Sequence, residues 1–202
     1  MSTRQVELFF DPTCPWAWMT SRWLLNATQV RDFTPKFSIM SLAALNEGRD
    51  LDPGYREHID EAWRPARVAL AVLHASGDQA LSDFYTAWGE AYHVGGNKDQ
   101  RAVAEAALAA AGQDSSLIDA FDDDSLNDEL RERQQAVVDL VGDEVGTPVI
   151  SFGEGVAYFG PVISPAPKGE EAGLLYDALD AASRVNGFFE LKRSRTTGPI
   201  LD

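Results

Sequence analysis

The sequence predicts an α/β fold, a sheet covered by helices and interrupted by a large all-helical insertion. Three observations predict it. A strand-like run, "QVELFF" at 5–10, passes through "DPT" directly into a proline-started helix. Between about residues 55 and 141 the pattern turns alanine-rich and helical. After Gly146 strand-like runs return, followed by one last helix.

The elements follow in order. Pro15 suits the first helical position, because its fixed backbone angle fits and its missing N–H would have had no partner there. Cys14 is then the N-cap, and Trp16, Ala17, Met19, Trp23 and Leu24 supply apolar residues at three- and four-residue spacing to about Ala27. A second strand is expected within 33–42, with Phe37, Ile39 and Ser41 on one face. The helical block divides into pieces at 63–76, 81–94, 100–111, 116–121 and 126–141, with Gly77, Gly95 and Gly112 as stops. Pro65 marks a start or a kink, and Ser125 with Asp128 forms a capping arrangement. "TPVISF", "GEG" and "VAYFGPVI" then read as an antiparallel hairpin, a helix is expected over 169–185, and the tail "KRSRTTGPILD" is irregular.

Composition narrows the function. The chain of 202 residues suits one domain with an insertion, its 45% hydrophobic and 24% charged residues are ordinary for a folded protein, and its net charge of -15 opposes nucleic acid and anionic membranes as partners. No run is apolar enough for a signal peptide or a membrane span, which places the expected location in the cytoplasm. His58, His74 and His93 are too scattered for a structural zinc site, and no metal, flavin or nicotinamide motif stands out. A G-x-S-x-G elbow is also missing.

Chemistry therefore centres on the single cysteine, Cys14. A thiol at a helix N-terminus faces unpaired N–H groups and the positive end of the helix dipole, so its pKa is expected to fall below the usual thiol range. The competing reading is a small buried apolar residue, since free cysteines are among the most buried types. Position before Pro15, at a strand-to-helix junction, favours reactivity. Trp18 and Trp23 read as core, and His93 and Asn97 in "YHVGGN" as a solvated loop.

"CPWA" at 14–17 and "GTPV" at 146–149 resemble the thioredoxin-fold superfamily, and within it the DsbA-like proteins that carry a helical insertion. "FDPTCPWAWMTSRW", "MSLAALNE", "VGTPVISF", "FGPVIS" and "FFELKRSRT" together are similar to the actinobacterial mycothiol-dependent nitroreductase family, over nearly the whole chain. That resemblance implies a thioredoxin-like core at 1–54 and 142–202, and a helical lid at 55–141. It implies mycothiol as thiol co-substrate, reduction of nitro-aromatic compounds or mixed disulfides, and a mycoredoxin-type redox partner. Cys14 becomes the catalytic nucleophile. Pro15, Trp16, Ala17, Asn46, Tyr55, Thr147 and Pro148 become the substrate- and thiol-binding residues. Thr147–Pro148 is the expected cis bond beside the thiol, and Asn46 and Tyr55 lie in the loop leaving the second strand.

One departure matters. Dithiol members have a second cysteine where this chain has Ala17, so an external thiol must resolve any adduct on Cys14. A kappa-class-like thiol transferase or isomerase would not need that second cysteine, and a redox-silent binding module would need neither.

Overall fold

The structure is a computed structural model that describes residues 4–201. A four-stranded mixed sheet is built from β1 (Arg4–Phe10), β2 (Phe33–Ile39), β3 (Val149–Gly153) and β4 (Val156–Phe159) in the order β2-β1-β3-β4. β1 pairs parallel with β2, with Leu8 opposite Phe37, and antiparallel with β3, with Phe9 opposite Val149. Val6, Leu8 and Phe10 alternate onto one face and are completely buried, as the two-residue period of a strand requires. The "GEG" turn closes the β3–β4 hairpin with Gly153, Glu154 and Gly155 all at positive φ.

Helix α1 (Pro15–Ala27) starts with Pro15 in its first turn and makes the crossover between the parallel strands. β2 ends at Ile39, three residues short of the expected strand, because Ser41 leaves the ladder. Its hydroxyl accepts the Ala44 N–H at 3.2 Å and caps the short α2 (Leu42–Leu45). The helical insertion follows as α3 (Pro53–Glu61), α4 (Trp63–Gly89), α5 (Gln100–Ala110) and α6 (Asn127–Val141). Two 3₁₀ segments, Ser115–Asp122 and Asp124–Leu126, join α5 to α6.

Gly77 stops the helix as expected, with φ 80° and ψ -169°, and α4 is two helices that meet across a kink at that residue. Several other expectations change here. Pro65 sits in the first turn of α4, where its missing N–H leaves no bond broken. The second half of α4 passes into a π-helical turn over Glu90–Val94, and Gly96 carries the left-handed φ, with Gly95 remaining helical. Asp123 accepts the Ser125 N–H at 3.0 Å, whereas Leu126 at the N-cap of α6 offers no capping side chain. The final helix α7 (Gly169–Ala182) is shorter than expected, and 186–201 is irregular.

Sheet and insertion share one hydrophobic core. Phe10 stacks on Tyr85 of α4 at 3.7 Å between ring centroids, and Trp18 meets Tyr85 edge-on at 5.8 Å. Gly89 is required at that crossing, since a Cβ there would lie 2.0 Å from the Trp18 ring. Trp18, Trp23, Tyr85 and Trp88 are fully buried, each burial contributing roughly 1.5–3 kcal/mol. The result is a thioredoxin-like sheet with a DsbA-like helical insertion packed onto its face.

Candidate active site

The site forms where β1 ends. Asp11 is fully buried and turns the chain: one carboxylate oxygen accepts the Thr13 N–H at 2.8 Å and the Thr13 hydroxyl at 2.7 Å, and the other accepts the Leu42 N–H at 2.7 Å. Its carbonyl accepts the Cys14 N–H at 3.1 Å. Asp11 thereby ties the cysteine loop to the start of α2. Burial raises its pKa, and the hydrogen bonds oppose that rise.

Cys14 caps α1 as expected, with the Ala17 N–H donating to its sulfur at 3.4 Å. Across the site the thiol donates to the Thr147 carbonyl at 3.4 Å, and the Thr147–Pro148 bond is cis. Thr147 is buried, and its hydroxyl has no hydrogen-bond partner among the described residues. The Pro148 carbonyl accepts the Gly160 N–H at 2.8 Å, which ties the Thr147–Pro148 segment to the end of β4.

The expected fall in thiol pKa is overturned in this arrangement. Burial of the sulfur pushes the pKa up more strongly than Thr147 and the Ala17 N–H lower it, and the nearby Asp11 charge adds to the rise. The helix terminus does act on the thiol, but exclusion of water outweighs it. Cys14 is held as a neutral thiol whose proton points to a carbonyl.

The other expected site residues divide. Ala17 is completely buried beneath the sulfur, and Pro15 and Trp16 are half-buried on the first turn of α1. The Arg195 guanidinium, from the tail, lies 5.2 Å from the centre of the Trp16 ring. Asn46 lies, as expected, in the turn that leaves α2, whereas Tyr55 sits on a helix and not in a loop. Asn46 ends α2 and donates its side-chain amide to the Leu42 carbonyl at 2.9 Å. Tyr55 lies in the first turn of α3, partly exposed, and burial raises its phenol pKa.

His93 is the clearest correction. It is buried, not solvated, and its Nε2 lies 2.9 Å from the Pro12 carbonyl, which also accepts the Trp88 indole N–H at 2.8 Å. Both donors come from the insertion. Burial lowers the His93 pKa to about 4, and its ring stacks on Trp18 at 5.9 Å. Asp11, Trp88 and Arg195 are the neighbours of this loop that sequence reasoning missed; only Asp11, three residues before the cysteine, carried a local signal. A separate depression of about 430 Å³ between α4 and the 3₁₀ segments includes none of the site residues. Among the described residues no helix is long and apolar enough to cross a membrane, and no group of His, Cys, Asp or Glu is placed to hold a metal ion.

Comparison with known proteins gives this geometry a family. The family model described as Rv2466c-like, mycothiol-dependent nitroreductase Rv2466c, matches residues 13–193. The chain belongs to that family. Membership makes it an enzyme of the mycothiol-dependent, nitroreductase-like thiol oxidoreductase class. The uncharacterized protein Rv2286c of Mycobacterium tuberculosis is 28% identical over 96% of this chain and 84% of its own length. Among solved structures, a putative protein disulfide isomerase from Nitrosomonas europaea matches 89% of this chain and 99% of its own, at 20% identity and a TM-score of 0.52. The cytosolic disulfide reductase DsbM from Pseudomonas aeruginosa matches 88% and 99%, at 16% identity and 0.53. A 2-hydroxychromene-2-carboxylate isomerase matches 89% and 96%, at 14% identity and 0.56. These three likenesses establish the shared fold.

Proposed function

We propose that the protein works as a monothiol oxidoreductase in which Cys14 is the nucleophile and mycothiol the external resolving thiol, acting on small mixed disulfides or nitro-aromatic compounds in the cytoplasm. The observation that carries this reading is the seating of the only cysteine. Its sulfur lies between the Ala17 N–H and the carbonyl that precedes Pro148, and alanine occupies the place of a second thiol.

The chemistry follows from that seating. Opening of the site admits water, which removes the burial penalty and leaves the Ala17 N–H and the helix terminus to favour the thiolate. The thiolate attacks one sulfur of a mixed disulfide, a new S–S bond forms, and the other sulfur leaves as a thiolate with the electron pair. Ala17 cannot resolve this adduct. Where the sulfur bonded to Cys14 is the mycothiol half of the mixed disulfide, a second mycothiol thiolate attacks that distal sulfur, and mycothiol disulfide leaves as the Cys14 thiolate is restored. For a nitro compound, two mycothiols supply the two electrons that, with two protons, convert nitro to nitroso and water. The two mycothiols leave oxidised, again as mycothiol disulfide, which a mycoredoxin-type partner recycles. The Thr147 backbone would align an extended thiol ligand as an added strand, with Trp16, Asn46 and Tyr55 around it.

The test is the intact mass of the protein after brief exposure to oxidised mycothiol near neutral pH, with Cys14→Ala as control. One adduct that free thiol removes is the expected result. An unmodified wild-type protein would sink the reading and favour a binding module. Recovery of mycothiol attached to product, in place of mycothiol disulfide, would favour transferase chemistry.

A further inference from the structure

We propose that Arg195 and the Trp16 ring form a subsite for a planar aromatic molecule bearing a carboxylate or similar anionic group, presented to Cys14 by the C-terminal tail. The inference rests on Cys14 being the nucleophile and adds the charge and shape of what it attacks.

The tail is anchored at the active-site end of the molecule. Ser164 donates its hydroxyl proton to the Gly198 carbonyl at 2.9 Å and accepts the Ile200 N–H at 2.8 Å, while Leu201 packs half-buried against the main core. The loop carrying Ser164 is itself fastened to α1, through the Thr20 hydroxyl to the Pro161 carbonyl and the Asn26 amide to the Pro167 carbonyl. Arg195, three residues before the first Ser164 anchor, is thus held over Trp16, two residues after the thiol.

Charge gives that placement meaning. The chain has 32 acidic and 17 basic residues, and Arg31, Arg56, Arg101, Arg131, Arg133 and Arg184 are in ion pairs. Lys192, Arg193 and Arg195 have no ion-pair partner among the described residues. An unpaired guanidinium is planar, stacks on an indole and offers two parallel N–H donors to a carboxylate. An aromatic anion uses both halves of the subsite: its ring against Trp16, its charge on Arg195. A neutral ring gains the first contact alone and has to displace a cation from the indole.

Thiol–disulfide exchange tests this without mycothiol or turnover. The Cys14 proton goes to solvent, its thiolate bonds to one sulfur of an aromatic disulfide, the aryl S–S bond breaks, and an arylthiolate departs with the electron pair. Dithiobis(nitrobenzoate), a dianion, is compared with neutral dithiodipyridine. Both need the same buried sulfur, so the ratio of their rate constants cancels any opening step. R195Q is expected to slow the dianionic reagent by about fivefold or more and the neutral one by less than about twofold, with R195K in between. Equal slowing with both reagents would reduce Arg195 to a packing residue and overturn the subsite, as would no slowing with either. The same selective loss in K192Q would assign the effect to general tail charge and also overturn it. A wild-type protein that reacts with neither reagent would overturn the nucleophile reading, and this subsite with it.

Discussion

The Nε2 of His93 and the carbonyl oxygen of Pro12 are 2.9 Å apart, so a side chain of the helical insertion holds the backbone two residues before Cys14. A carbonyl only accepts, so Nε2 carries the single proton of the neutral ring. Burial, which lowers the pKa of His93 to about 4, keeps it so.

That pKa sets a pH dependence of stability. The folded pKa lies below the unfolded value of 6.5, so the unfolded chain binds the extra proton between the two. Stability from this group is complete above about pH 6.5 and falls as pH drops toward about 4, by an amount on the order of 3 kcal/mol. His93→Gln should remove that component. Urea unfolding of both proteins across the pH range checks it, and parallel curves would show that His93 does not titrate in the folded state as described.

Asp11 offers a second pH test at the thiol itself. Its charge adds to the rise in the Cys14 pKa, so neutralising it should let the thiolate form at lower pH. The alkylation rate of Asp11→Asn by iodoacetamide should reach half its plateau at lower pH than that of wild type. The same variant loses an acceptor for buried N–H groups, which should cost roughly 1–3 kcal/mol of stability. A stability loss without a shifted alkylation profile would leave Asp11 as a fastener of the loop alone.

Ala17→Cys should convert the centre from monothiol to dithiol. Oxidised mycothiol would then yield an internal disulfide, detected as the loss of two hydrogens in the intact mass, in place of a lasting adduct. A persistent adduct on the variant would mean that position 17 cannot reach the bonded sulfur.

Gly89→Ala tests the crossing of α1 and α4. A methyl group 2.0 Å from the Trp18 ring forces the helices apart, at a cost of about 1–3 kcal/mol. A lower urea midpoint with an unchanged slope is the expected outcome. Unchanged stability would show that the indole has room to move.

What the sequence revealed was what short stretches encode. Cys14 followed by Pro15 specifies a capped helix within two residues, and the structure places both there. Glycines on either side of Glu154 specify the hairpin turn in the same way. The alternation of Ser41 with Ile39 is real and predicts a strand; its competing use as a cap depends on Ala44 being in place. His93 is followed by polar residues and glycines, which predict a solvated loop. Its burial depends on Pro12, 81 residues away, and on Trp18, neither of which a local pattern can supply. The thiol pKa failed for the same reason. A helix terminus is a local property, whereas loss of water around Cys14 is the work of the whole tertiary structure.

The strand order β2-β1-β3-β4 has a consequence for how this chain emerges from a ribosome. β1 and β2 are made early, but the strand that covers the other side of β1 waits at Val149, beyond the entire insertion. Throughout that interval the backbone of Glu7 to Phe9 lacks its partner, an open template for pairing with a neighbouring nascent chain. The stacking of Tyr85 on Phe10 covers the face of β1 but leaves its edge bare. A chaperone that shields one strand edge during synthesis is the help this topology would most reward.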